Sequence, residues 1–354
     1  MSVKYIGLDV HQATTVAAVV DGRGKLVMES IVENKASTLL EFLHGLRGEL
    51  HVTLEEGTWA AWLHDVLRPH VQELIICDPR KNKYLQQGSQ NDKIESRKLA
   101  QLLRAGLLSP VYHGESGLRL LRELVRSYLT LTQDATRLMN RIKAVYRGRG
   151  IPCASQKVFN PHHRDEWLKK LREPGLRRRA ERLYQQLDQL QPLRQQARRE
   201  MLEESCRHTA NRWLKEIPYV GSIRAAQLIA LLQTPHRFRT KRQLWAYSGF
   251  GLETHDSGEY RYVKGHLRRN RERVTVLGLN ENHNHDLKNL FKSAAISAST
   301  RPGPFQEFYA GLLAKGRRPA MARLTLARKI AAITLTIWKK GVCFDAKELH
   351  RQAA

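Results

Sequence analysis

The sequence predicts an α/β N-terminal domain, a long helical middle and a mainly helical C-terminal domain. Three observations carry that reading. The first hundred residues alternate apolar runs of strand length with amphipathic helical ones; residues 121–145 keep a heptad spacing; and a helix–turn–helix pattern around a glycine opens a third region near Trp213.

In chain order, Val3 to Val10 reads as the first strand, an apolar run that ends in Asp9 and is followed at once by His11. Thr14 to Val20 and Lys25 to Val32 are further runs rich in branched residues, separated by the turn Asp21-Gly22-Arg23-Gly24, so the chain opens as an antiparallel meander. A helix over Ala36 to Leu46 leads to a strand from His51 to Glu56. A helix carrying Trp59, Trp62, Leu63 and Val66 then leads to a strand from Glu73 to Cys77, closed by Asp78-Pro79. Three antiparallel strands followed by β-α-β is the order of a ribonuclease-H-like sheet with helices on its faces. After the polar stretch Gln86 to Asn91, a helix begins near Asp92 and runs through Leu99, Leu102 and Leu103. The domain boundaries predicted are 1–112, 113–210 and 211–354.

Charge narrows the partners. Lys and Arg outnumber Asp and Glu by 60 to 34, a formal +26 with a pI near 10.3, which points to a polyanion and first of all to nucleic acid. No apolar run approaches the roughly 20 residues of a spanning helix, and strand-forming sequence follows Met1 directly, so neither a membrane nor a signal peptide is expected. Cys77, Cys153, Cys206 and Cys343 are far apart with no C-x-x-C, which supports neither a zinc knuckle nor a disulfide framework. A reduced, cytoplasmic protein is expected.

Four acids stand out. An aspartate on a central strand is costly to bury unless paired or bound to a cation, so Asp9 asks for a metal or a positive partner. Glu55 sits at a strand end, and Asp92 and Glu95 lie three apart on one helix face. Together they offer oxygen ligands for one or two Mg²⁺ ions, with Mn²⁺ as the alternative. A plainer account also fits, because Asp-x-x-Glu at a helix start is a capping box and a strand-end glutamate is often merely solvated. Alternation along the strand does not separate Glu55 from Glu56, since it puts Glu56 on the face of Val52 and Leu54.

In the middle, Leu121, Leu124, Tyr128, Leu131, Ala135, Leu138, Ile142 and Val145 trace a coiled-coil seam. A second helical region from Leu176 repeats Ala180, Leu183, Leu187 and Leu190 before Pro192, which is expected to kink or split it. The two helices either fold back on each other or bury the seam against a second copy. The stretch from Gly148 to Pro161 reads as a hinge, and Arg177-Arg178-Arg179 as a solvated face or a track for phosphates.

Further on, Ile217-Pro218-Tyr219-Val220-Gly221 precedes an apolar helix, a turn that offers backbone N–H groups to a phosphate and equally suits a plain helical hairpin. From Arg237 to Arg273 ten Lys and Arg face four Asp and Glu, interleaved with Phe238, Trp245, Tyr247, Phe250, Tyr260 and Tyr262. Cations for phosphates and aromatics for bases or core suit a nucleic-acid surface. Its candidate contacts are Arg237, Arg239, Lys241, Arg242, Arg261, Lys264, Arg268 and Arg269. His283 and His285 alone do not make a zinc site; a polar helix start accounts for them.

Several of these stretches resemble the DEDD insertion-sequence transposases of the IS110 family, over nearly the whole chain. Tyr5-Ile6-Gly7-Leu8-Asp9 is similar to that family's first catalytic strand in a RuvC-like domain. His51 to Glu55 resembles the strand carrying its glutamate, which favours Glu55 over Glu56. Asn91 to Ala100 resembles the helix with the paired aspartates, with Glu95 where the second aspartate is usual. Ile217 to Gly221 resembles the start of the second transposase domain, Asp256-Ser257-Gly258 its serine-bearing loop, and Ala320 to Asp345 its closing helix and tail.

The resemblance implies a recombinase that moves a mobile element, cutting and rejoining double-stranded target and donor DNA, with sequence choice residing in a structured guide (bridge) RNA held by the protein. It implies that Asp9, Glu55, Asp92 and Glu95 hold Mg²⁺, and that Ser257 attacks the phosphodiester and becomes linked to DNA. It further implies that the serine reaches the acids from a neighbouring protomer of a homodimer or homotetramer, in a prokaryotic, nucleoid-associated setting. Two other classes compete. A structure-selective nuclease of the Holliday-junction type uses the acids and a water, with Ser257 a bystander; a non-catalytic RNA- or DNA-binding scaffold uses the acids only to cap and solvate.

Overall fold

The computed structural model describes residues 2–82, 91–114, 116–255, 260–269, 275–346 and 349. They form two compact units, Met1–Ser116 and Gly117–Ala354. The helical region expected at 113–210 and the domain expected from 211 thus share the second unit almost entirely.

The first unit is a mixed α/β layer structure, consistent with the ribonuclease-H-like expectation. Its strands are β1 (Val3–Val10), β2 (Thr14–Asp21), β3 (Leu26–Glu33), β4 (Glu49–Glu55) and β5 (Glu73–Cys77). Between and after them come α1 (Ala36–His44), α2 (Ala60–Leu67), the one-turn α3 (Pro79–Asn82) and α4 (Asp92–Arg104). The sheet order is β3-β2-β1-β4-β5, antiparallel from β3 to β1 and parallel from β1 to β5. Ile6, Leu8, Val19, Val52 and Leu54 face Leu39 and Leu43 of α1 and Leu63 and Leu67 of α2 in one buried cluster. On the opposite face Ala18, Gly7 and Thr53 lie side by side in register, all small, and α4 settles against them.

In the second unit α5 (Arg119–Arg147), the short α6 (Arg164–Lys169) and α7 (Pro174–Cys206) come first. Ala135, Leu138, Ile142 and Val145 of α5 are buried with Ala180, Tyr184 and Leu187 of α7, while Leu121 and Val125 share a core with Met201. The helices therefore run antiparallel, and α7 of the same chain covers much of the heptad seam. Pro192 does not split α7, which continues through it to Cys206, packed on α5 both before and after that position. Where α5 meets α7, Tyr184 Oη donates to the Val158 carbonyl (2.9 Å) and lies 3.1 Å from Tyr146 Oη, all three residues being buried. Tyr184→Phe leaves both partners unsatisfied and is expected to lower stability by about 1–3 kcal/mol in urea titration; an unchanged midpoint contradicts the network.

The C-terminal part contains α8 (Ala210–Leu214), α9 (Gly221–Leu232), α10 (Lys241–Tyr247), α11 (His285–Thr300), α12 (Pro304–Ala314) and α13 (Pro319–Lys340). The last of these touches α8, α10, α11 and α12 and is buried at Leu326, Ile330, Ala331, Thr334 and Leu335. It stops at Gly341, whose φ of 64° is the left-handed cap that glycine tolerates best. Between α10 and α11 the described residues form four short strands. Strand β6 (Leu252–His255) pairs with β9 (Thr275–Leu279), and β7 (Tyr260–Val263) pairs with β8 (His266–Arg269). Among the described residues no helix is long and apolar enough to cross a membrane.

Candidate active site

Three elements of the first unit aim acids at one place. Leu8 of β1 is in register with Leu54 of β4, so Asp9 and Glu55 follow one another's neighbours at the same end of two adjacent parallel strands. On the sheet face covered by α4, that helix begins with Asp92 and Glu95 in its first turn. Its approach depends on Gly7: a Cβ there would lie 2.1 Å from the Ser96 carbonyl oxygen and 2.6 Å from the Ala100 nitrogen. A bare backbone at position 7 thus brings the helix, and its two acids, down to the sheet.

The capping account of the acids does not hold. The cap is Asn91, whose side chain accepts from the Lys93 N–H at 2.9 Å, which leaves the Asp92 and Glu95 carboxylates available for another role. Negative charge is tolerated there because the helix N-terminus is the positive end of its dipole.

Glu55 and Glu56 now separate. Glu56 pairs with His113 Nε2 at 2.6 Å, whereas Glu55 lies near Asp9 and receives Asn82 Nδ2 at 3.4 Å. The alternation of β4 is kept: Val52 and Leu54 face α1 and α2, while Thr53, in register with Gly7, and after it Glu55 share the face that α4 covers. Asn82, itself buried, also donates to Cys77 Sγ at 3.0 Å and so anchors the carboxylate to the end of β5.

The charge balance is the site's main feature. Asp9 is held above the usual aspartate range chiefly by burial; His11 opposes this, and Glu95, Asp92 and Glu55 each add to it. His11 Nε2 stands 3.3 Å from Asp9 Oδ2 and 3.2 Å from Asp92 Oδ2, bridging two carboxylates. Asp9 Oδ2 is nonetheless buried and, among the described residues, has no hydrogen-bond donor, His11 being its charged neighbour at 3.3 Å. Among the described residues Asp9, His11 and Asp92 place ligand atoms within 4.8 Å of one another. A buried oxygen lacking a donor, inside a group of like charges, suits a hard divalent cation. Neighbouring ligands around such an ion, with bonds of about 2.1 Å, sit roughly 3 Å apart, close to the His11 spacings. His11 was visible beside Asp9 in the sequence, but no spacing rule joins it to Asp92, 81 positions along.

Residues 6–148 match a family model for the DEDD transposase of IS110, described as a transposase, and residues 211–310 match one described as transposase IS116/IS110/IS902 family. The chain belongs to the IS110 family of DEDD transposases. No curated protein matches it. An IS110-family transposase is an enzyme of DNA recombination, so DNA is its substrate.

In this transposase the basic candidates have different surroundings. Arg239, Lys241, Arg242, Lys264 and Arg268 are exposed, while Arg237 is half-buried, its guanidinium 4.8 Å from the Tyr247 ring and donating to the Leu232 carbonyl. Arg261 and Arg269 are paired in register across β7 and β8 with Arg268 and Tyr260. The interleaved aromatics divide: Phe238 and Phe250 belong to the core, and Tyr260 and Tyr262 are exposed beside Lys264 and Arg268. Ser257, with Asp256 and Gly258, lies outside the described residues. The turn before α9 is built by Tyr219 (φ 65°) and Gly221 (φ 59°), with Arg224 Nη1 donating to the Tyr219 carbonyl at 2.9 Å. At His283-Asn284-His285 the polar helix start is what forms: Asn284 caps α11 by accepting from the Leu287 N–H, and His283 Nδ1 faces the Asn280 carbonyl at 2.7 Å.

Proposed function

We propose that this transposase cuts and rejoins insertion-sequence DNA through a Mg²⁺-dependent acidic site and a covalent serine–DNA link, directed by a structured guide RNA. The observation that carries the acidic half is the gathering of Asp9, Glu55, Asp92 and Glu95 around a buried Asp9 oxygen with no hydrogen bond. Asp9, Glu55, Asp92 and Glu95 would hold the ion, with His11 as a further ligand, and Mn²⁺ is the natural substitute. The bound ion supplies neutralisation of phosphate charge and stabilisation of the displaced oxygen. Asn82 fixes the Glu55 carboxylate, and Gly7 fixes the height of the α4 acids.

The serine half rests on the resemblance of Asp256-Ser257-Gly258 to the family's serine loop. Ser257 Oγ forms a bond to phosphorus as it loses its proton, and the bond to one strand's oxygen breaks, that oxygen leaving as a protonated hydroxyl. The number of phosphoester bonds is unchanged, so rejoining needs no high-energy cofactor. Guide RNA and DNA are both polyanions, which suits a chain of +26. A homodimer or homotetramer, with Ser257 delivered to the neighbour's acids, is the assembly proposed.

The test is to purify the protein, sequence the RNA that accompanies it, and offer matching DNA with Mg²⁺. Wild type is expected to leave a protein–DNA adduct that survives denaturation; Ser257→Ala is expected to lose both adduct and cleavage by at least about a hundredfold. Cleavage by Ser257→Ala at the wild-type rate, with no adduct from either protein, establishes the water-using nuclease instead.

A further inference from the structure

A cavity of about 410 Å³ lies in the second unit between α10, α12 and α13. That volume falls in the range of about 300–1,000 Å³ usual for small-ligand sites. Its lining is unusual in charge. Lys241, Lys315, Arg317, Arg328 and Lys329 contribute five cations, and among the described residues no acidic one lines it. Trp245 and Phe308 supply the aromatic walls.

Lys329 is the telling residue. It is 92% buried, being 8% exposed, and its Nζ has no hydrogen-bond partner among the described residues. The centre of the Phe308 ring lies 5.7 Å from Nζ. Burial, with Lys241 adding to it, holds its pKa below the ordinary lysine value, so the folded protein keeps this amine against a free-energy cost. A packing role does not account for it, because a methionine fills similar space without an uncompensated charge.

The surroundings are pre-organised. Trp245 Nε1 donates to the Arg328 carbonyl at 2.9 Å, which orients the indole. The Arg328 guanidinium donates to the Phe250 carbonyl through Nε at 2.8 Å and is thereby fixed in place, 5.9 Å from the Trp245 ring. Lys241, Lys315 and Arg317 are exposed at the rim, able to meet an incoming anion. Buried amine, fixed guanidinium and flexible rim cations call for a phosphate; indole and phenyl faces call for a planar, polarisable group beside it. An acidic peptide would satisfy only the cations.

We propose that this cavity binds one unstacked nucleotide of a nucleic-acid strand, its phosphate on Lys329 and the rim cations and its base against Trp245 and Phe308. The proposal deepens the reading of the chain as a nucleic-acid enzyme and rests on that reading, but not on the metal site or on Ser257. Base–aromatic stacking and phosphate neutralisation are the two forces that single-strand binders combine.

The experiment uses the full-length protein and eight-residue oligonucleotides, one DNA and one RNA, each carrying a single photoreactive 5-bromouracil. Crosslinks mapped by mass spectrometry are expected within residues 241–247 or 305–312. The DNA and RNA arms assign the source of the strand. In fluorescence anisotropy at fixed salt, Lys329→Met and Trp245→Leu are each expected to weaken binding on the order of tenfold. Lys329→Met is also expected to melt at the same temperature as wild type or higher, which a structural lysine would not do. Lys241→Gln, at the exposed rim, is the variant with least risk to folding and is expected to weaken binding severalfold. Crosslinks confined to other segments, or wild-type affinity in Lys329→Met and Lys241→Gln, overturn the pocket while leaving the enzyme reading intact. So does equal competition by polyglutamate. Failure of wild type to bind either oligonucleotide removes the pocket and the wider reading together.

Discussion

Gly7→Ala is expected to dismantle the acidic site without touching any acid. The added methyl group would sit 2.1 Å from the Ser96 carbonyl oxygen, and that partner is helix backbone, which does not swing aside as a side chain does. The helix α4 must therefore rise from the sheet, away from Ala18 and Thr53, the small residues that flank Gly7 in register. Overpacking of this kind costs about 1–3 kcal/mol or more, which for a unit of this size lowers Tm on the order of 10 °C. The same displacement lifts Asp92 and Glu95 away from Asp9, so Mn²⁺ affinity, measured by titration with electron paramagnetic resonance, is expected to fall at least about tenfold, as displaced ligands require. Gly22→Ala is the control: nothing lies within 4 Å of a Cβ built there, and it is expected to match wild type. If Gly7→Ala melted and bound Mn²⁺ like wild type, the close approach of α4 would not be what assembles the acids.

How much of this was legible in the sequence depends on the range of the interaction concerned. The five strands of the first unit were readable because strands buried at the centre of a sheet are apolar, and their order followed from the run lengths between them. Alternation put Glu55 and Glu56 on opposite faces of β4 without saying which face α4 would cover. Resemblance favoured Glu55, and the geometry adds the reason: Asn82 holds it, while His113 takes Glu56. His11 bridging Asp9 and Asp92, and Asn82 reaching Glu55 and Cys77, are contacts across tens of residues, with no local pattern to announce them. The heptad seam was visible in α5 but not its partner, because a periodic stripe says only that something covers it. The strands β6 to β9 were hidden for a different reason: they are short, and exposed at Leu252, Tyr260, Tyr262, Leu267, Val276 and Leu277, so burial imposes little pattern on them. Lys329 was invisible as a site residue, since nothing in the sequence distinguishes a buried lysine from a solvated one. Ser257 was singled out by family resemblance alone.

Asp9→Asn is expected to move stability and activity in opposite directions. Burial, reinforced by Glu95, Asp92 and Glu55, raises the Asp9 pKa above its ordinary 3.8 despite His11. The folded protein therefore binds the Asp9 proton more tightly than the unfolded chain does. Wild type loses stability as pH rises from about 3.8 through the raised value, while an asparagine of nearly the same shape has no charge to penalise. In EDTA the two proteins are expected to melt alike below that window, with the variant the more stable above it, by a margin that stops growing once Asp9 is fully ionised. Divalent cation reverses the order. At about a hundredfold excess over Kd it adds about 2.7 kcal/mol to wild type, and it adds far less to a protein lacking the central ligand. DNA cleavage by the variant is expected to fall by about a thousandfold or more, the scale of a lost metal contribution to the transition state. A variant less stable than wild type at every pH in EDTA would mean that the fold favours the ionised carboxylate, and the case for a cation at this position would fail with it. The expected crossing of the melting curves, with and without metal, distinguishes a carboxylate kept for its ligand from one kept for its fold: only the former is a burden until the ligand arrives.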